Sequence, residues 1–131
     1  IELRVPAEAA QSVAVFENSG EQSASLYDES ALDKADKYTV FFGGNHPRVV
    51  IRSASASGGK LLYLKDSYAN ALLPAVATHF ARTEVVDLRY FNGDLVEIAK
   101  ETEVEKILCI YGMNTFLTDR SLALVAASFE N

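Results

Sequence analysis

The sequence predicts an α/β fold: a parallel sheet with helices laid over its faces. Three observations carry that prediction. From residue 60 onward, short apolar runs recur at residues 61–65, 84–88 and 104–111. Segments with helical spacing alternate with them, at about residues 68–81, after Asp94, and at residues 122–125. The resulting order β-α-β-α-β-α calls for right-handed crossovers between parallel strands.

The elements before residue 60 are less regular. Val13-Ala14-Val15-Phe16 has strand character and ends at Asn18-Ser19-Gly20. Ser25-Leu26-Tyr27 is a weaker strand candidate, and residues 28–37 are polar, a helical turn or a loop. Tyr38-Thr39-Val40-Phe41-Phe42 is aromatic and β-branched, which predicts a strand broken by Gly43-Gly44-Asn45-His46-Pro47. Arg48-Val49-Val50-Ile51-Arg52 predicts another strand, and residues 53–59, rich in Ser, Ala and Gly, a polar connection.

The regular part follows. Leu61-Leu62-Tyr63-Leu64 reads as a buried strand, because a strand covered on both faces is apolar throughout. A helix is expected over residues 68–81, with Pro74 bending it or delaying its start. Residues 84–88 form the next strand, and Asp94 is placed to cap a helix bearing Leu95, Ile98 and Ala99 on one face. Residues 104–111 hold the third strand. Gly112-Met113-Asn114-Thr115 reads as a loop, and Asp119 or Ser121 opens a last short helix. Residues 1–38 thus form an irregular, partly stranded region and residues 39–131 an α/β core, together one domain.

Composition narrows the function. With 131 residues and 49% of them hydrophobic, the chain can bury a core. Its net charge of -6 and lack of a Lys/Arg cluster argue against nucleic acid or anionic lipid as partners. No apolar run has the length of a membrane span. Cys109 lies in an apolar run and is expected to be an inert core thiol. The two histidines, His46 and His79, fit no metal-ligand spacing, and no phosphate loop or dinucleotide fingerprint is present. No cofactor and no metal is therefore expected.

In open α/β sheets ligands bind beyond the carboxyl ends of the strands. Those ends carry Asp66-Ser67, Asp87-Leu88-Arg89-Tyr90 and Tyr111-Gly112-Met113-Asn114. Ser67, at a strand-to-helix corner, is a candidate nucleophile, because free amides there stabilise an oxyanion. Gly44 lets a backbone N–H approach a ligand, and Asn45 adds a side-chain donor. Arg89 and Asn114 complete the candidate substrate-binding set. Each has a plainer role open to it: Asp66 or Ser67 as a helix cap, Asp87 as the ion-pair partner of Arg89, Asn114 as a turn residue.

Four segments together resemble the C-terminal portion of the DHHW family. They are residues 38–47 (YTVFFGGNHP), 61–70 (LLYLKDSYAN), 86–91 (VDLRYF) and 111–116 (YGMNTF), within a match over residues 25–120. These bacterial proteins are related to the SGNH-hydrolase-like domains of alginate O-acetyltransferases. The resemblance implies a three-layer α/β sandwich with a mainly parallel sheet, of which this chain is the C-terminal part. It places Ser67 where the family's nucleophilic serine stands. It further implies an extracytoplasmic serine esterase or O-acyltransferase handling acyl groups, acetyl above all, on carbohydrate such as a cell-surface glycan. The family's Asp-His-His-Trp motif has no counterpart here, since the chain contains no tryptophan. The chain alone is accordingly expected to be catalytically incomplete. Alternatives are a non-catalytic glycan- or protein-binding domain with Ser67 as a cap, and a homodimer formed through an exposed sheet edge.

Overall fold

The computed structural model describes residues 5, 7, 9, 12–16, 22–23, 25–54, 56–123 and 125. Six strands form one sheet: β1 Ser12–Phe16, β2 Gln22–Ser23, β3 Arg48–Ser53, β4 Gly58–Lys65, β5 Phe80–Val86 and β6 Lys106–Ile110. Their spatial order is β2-β1-β3-β5-β4-β6. The helices are α1 Leu73–Ala77, α2 Leu95–Glu101 and α3 Met113–Thr118, with 3₁₀ turns at Glu29–Asp33, Lys37–Val40 and Ser67–Ala71.

The sheet is mixed, which corrects the expectation of a mainly parallel one. β4 runs parallel to β5 and to β6, as the alternation of strands and helices requires. β3 instead pairs antiparallel with β5, and β1 antiparallel with both β3 and β2. β3 ends at Ser53 and β4 begins at Gly58, too few residues for the crossover that a parallel pair needs, so β3 runs opposite to β4, and β5 pairs between them.

β4 organises the interior. Leu61 and Tyr63 belong to a core cluster with Phe16, Phe42, Ile51, Leu73 and Ala77. Leu62 and Leu64 belong to another with Val86, Leu95 and Ile98. Alternate side chains of a strand point to opposite faces, so β4 is buried on both sides, with α1 against one and α2 against the other. That is why residues 61–64 are apolar without alternation.

Several elements differ from the sequence-based expectation. The helix foreseen over residues 68–81 is divided. Pro74 lies in the first turn of α1, where its missing N–H costs nothing, so residues 67–71 form a separate 3₁₀ turn. The chain is already in β5 at Phe80, because pairing beside Gly58 outweighs local helical spacing. Tyr38 to Phe42 is not a strand. Asp36 accepts from Tyr38 N at 3.1 Å and caps the Lys37–Val40 turn, leaving one bridge between Tyr27 and Phe41. That same bridge is the only strand character of residues 25–27 among the described residues. Residues 113–115 are helical rather than a loop. Cys109 is exposed, since β6 is an edge strand covered on few sides. The expected caps hold: Asp94 accepts from Val96 N and Glu97 N, and Asp119 accepts from Ser121 N where the last helical residues begin.

Candidate functional site

Ser67 stands at the carboxyl end of β4, as the first residue of the Ser67–Ala71 turn. The capping role belongs to its neighbour. Asp66 is fully buried, accepts from Tyr68 N at 2.9 Å through Oδ1, and accepts from Gly112 N at 2.9 Å through Oδ2. Its own amide donates to Ile110 O at 3.4 Å. One carboxylate therefore ends β4, starts the serine turn and ties both to the loop after β6. Ser67 is left partly exposed, with no hydrogen bond to its hydroxyl among the described residues.

The Gly43–Asn45 loop is bound to this turn. Asn70 Nδ2 donates to Asn45 Oδ1 at 3.2 Å, so the Asn45 amide nitrogen remains available to a ligand. The Gly44 N–H is engaged by Phe41 O at 3.2 Å, which makes Gly44 a shaping residue of the loop. Phe42, Gly43 and Gly44 all adopt positive φ, of 62°, 71° and 123°. Two glycines make that reversal accessible, while buried Phe42 is strained and needs outside support. His46 supplies it: Nε2–H donates to Phe42 O at 2.7 Å, and the ring rests on Phe16 at a centroid distance of 4.3 Å. His46 is thereby a brace of the loop. His79 is exposed beside the first residue of β5, and Gly58 pairs with Phe80 at the opposite end of β4 from Ser67. At a strand rise of about 3.3 Å per residue, roughly 20 Å separates them. No described histidine contacts Ser67.

Beside the serine turn lies a buried charge cluster. Asp87, fully buried, accepts from Lys65 Nζ at 3.3 Å and from Arg89 Nε and Nη2 at 2.9 and 2.6 Å. The Arg89 pair was one of the alternatives read from sequence. The Lys65 contact was not foreseen, because an apolar strand gives no sign of a buried ammonium at its end. Burial lowers the Lys65 pKa, and Asp87 opposes that shift. Hydrogen bonding to Asp87 raises that of Arg89 further. A cluster of this kind is held by mutual pairing, and loss of one member leaves a buried charge alone. Arg89 also borders an open cleft of about 1170 Å³ with Phe91, Asn92, Lys100, Asp119 and Ser121. Asn114 is exposed on α3, whose first turn lies near the serine turn because the Tyr68 ring packs on Gly112. The structure thus joins Ser67 to Asn45 through Asn70, and to Gly112, the residue before the helix that carries Asn114, through Asp66. Arg89 is held to β4 by Asp87 and Lys65, without a contact to Ser67.

The same fold occurs in solved structures. Bacillus cereus PatB1 superposes with a TM-score of 0.68 at 26% identity, over 85% of this chain and 39% of that one. Its sulfonyl adduct superposes with a TM-score of 0.64 at 27% identity, over 79% and 38%. A DHHW family protein from Eubacterium siraeum superposes with a TM-score of 0.71 at 21% identity, over 88% and 39%. The chain therefore spans about two fifths of the length of these proteins. No family model matches the sequence, and no curated relative does.

Proposed function

We propose that Ser67 is the nucleophile of an SGNH-like serine esterase or O-acyltransferase that handles acetyl groups on carbohydrate outside the cytoplasm. The observation that carries this reading is the division of labour at the β4 corner. Asp66 does the capping, which leaves the Ser67 hydroxyl without a structural partner among the described residues. Two supports come from the comparisons. A DHHW family protein has this fold, and PatB1, which is about a quarter identical to this chain over the aligned part, forms a sulfonyl adduct. Sulfonyl groups are captured by activated nucleophiles.

In this mechanism Ser67 Oγ attacks the acyl carbon, and the leaving alcohol departs from the tetrahedral intermediate. The Ser67 N–H and Asn45 Nδ2 face the developing oxyanion. Each such donor contributes about 3 kcal/mol in well-studied enzymes. The attacking hydroxyl must lose its proton to a base. A base and its orienting carboxylate come, on this reading, from the further length of a protein resembling the solved structures, in the three-layer SGNH arrangement. The lack of a described histidine at Ser67 favours a second reading, a non-catalytic glycan-binding domain.

Ser67→Ala in the full-length protein, assayed with an acetyl-ester reporter, separates the two. Loss of turnover by about 10³-fold or more is expected for a nucleophile. Unchanged turnover removes the assignment.

A further inference from the structure

We infer that Tyr38 is the positioning residue of this site, holding the serine turn in register with the Asn45 loop. The inference rests on the reading of Ser67 as nucleophile. Three backbone groups of a single turn converge on the Tyr38 hydroxyl. It lies 2.8 Å from Ser67 O and 3.1 Å from Tyr68 O, and Ala71 N donates to it at 3.3 Å. A phenol has one proton, so the shorter contact, to Ser67 O, takes the donation, while a lone pair receives the Ala71 amide.

This placement does little for the core. Tyr38 is 42% exposed, and its ring meets only Phe41 edge-on among the described aromatic rings. What the hydroxyl does is connect two segments that sequence keeps apart. Tyr38 belongs to the 3₁₀ turn that leads directly into the Phe42–Gly44 reversal and Asn45. The turn it grips begins with Ser67 and ends at Ala71. Asn45 and Asn70 form the second link between the same segments. The distance from the Ser67 hydroxyl to the Asn45 donor is thus set by two polar links. One is a long exposed phenol, and the other is a single amide–amide bond. A turn of five residues has little internal hydrogen bonding with which to resist displacement. A shift of about 1 Å in such a constellation lowers rate by as much as 10²-fold.

Tyr38→Phe removes the hydroxyl and keeps the ring. In the full-length protein with the acetyl-ester reporter, kcat is expected to fall about tenfold or more with KM within about twofold, because only the reacting geometry changes. Amide exchange at Ala71 is expected to speed up in parallel. Tyr27→Phe is the control: its ring also meets Phe41, at 5.9 Å, with no described contact to the serine turn, and it should change neither quantity. Unchanged kcat in Tyr38→Phe, with Ser67→Ala inactive, overturns the positioning role and leaves the nucleophile standing. Retained turnover in Ser67→Ala overturns both. A fall in kcat shared equally by Tyr27→Phe marks a general loss of packing and also overturns it.

Discussion

Tyr63 and Lys65 lie two residues apart on β4, share one face, and respond oppositely to burial. Desolvation pushes the Tyr63 phenol up to about 12, against 10.0 for an exposed tyrosine. A folded-state pKa above the unfolded value stabilises the protein below pH 10 and loses that contribution as pH rises toward 12. Lys65 has the reverse sign. Its folded pKa is lowered, so it regains stability as pH approaches the unfolded value of 10.5. Tyr111 is raised by burial as well and adds to the alkaline loss. Among the described residues, the Tyr63 hydroxyl is buried with no hydrogen-bond partner. Removing such a group is close to neutral or stabilising. Tyr63→Phe is therefore expected to keep or raise stability at pH 7, within about 1 kcal/mol, and to shift alkaline unfolding to higher pH. Urea denaturation at pH 7 and pH 11 measures both. A loss above about 2 kcal/mol at pH 7 would show that the hydroxyl has a partner after all.

At the scale of elements, Asp66 is the joint. It ends β4, caps the Ser67–Ala71 turn and fastens the amide before α3. Asp66→Asn keeps one acceptor oxygen but turns an NH₂ group toward one of two backbone donors. A destabilisation of about 1–3 kcal/mol is expected, read as a drop in thermal midpoint. An unchanged midpoint would mean that the two amides find other acceptors. The position of this corner was legible in sequence, since an apolar run followed by Asp-Ser marks a strand running into a capped turn. Which residue caps was not legible, because Asp and Ser serve equally well there and only the folded contacts of Asp66, with Tyr68 N and Gly112 N, distinguish them. Tyr38 was hidden for a different reason. Its aromatic, β-branched neighbours suggested a strand, and the small cap at Asp36 decided the outcome.

For the whole molecule, the parallel half was legible and the antiparallel half was not. The β4-β5-β6 unit follows from alternating strands and helices, whose handedness leaves little choice. The pairing of β1 and β3 is long-range and leaves no local signature. The same topology brings Ser67 and Asn45 together while leaving one region apolar and open. Met113, Phe116 and Leu117 on α3 are exposed, as is Ile107 on the edge strand β6. From residue 106 to residue 118 the chain has no acidic side chain, against 18 in the whole sequence, so its negative charge lies elsewhere.

On the proposed reading Ser67 is a nucleophile rather than a structural serine. Treating the full-length protein with an arylsulfonyl fluoride tests it most directly. The Ser67 oxygen would bond to sulfur, with the S–F bond breaking and fluoride and a proton released. Peptide mass mapping is expected to place one sulfonyl group on Ser67 and none on the Ser67→Ala protein. An unmodified Ser67, or labelling confined to exposed tyrosines and lysines, would contradict the account.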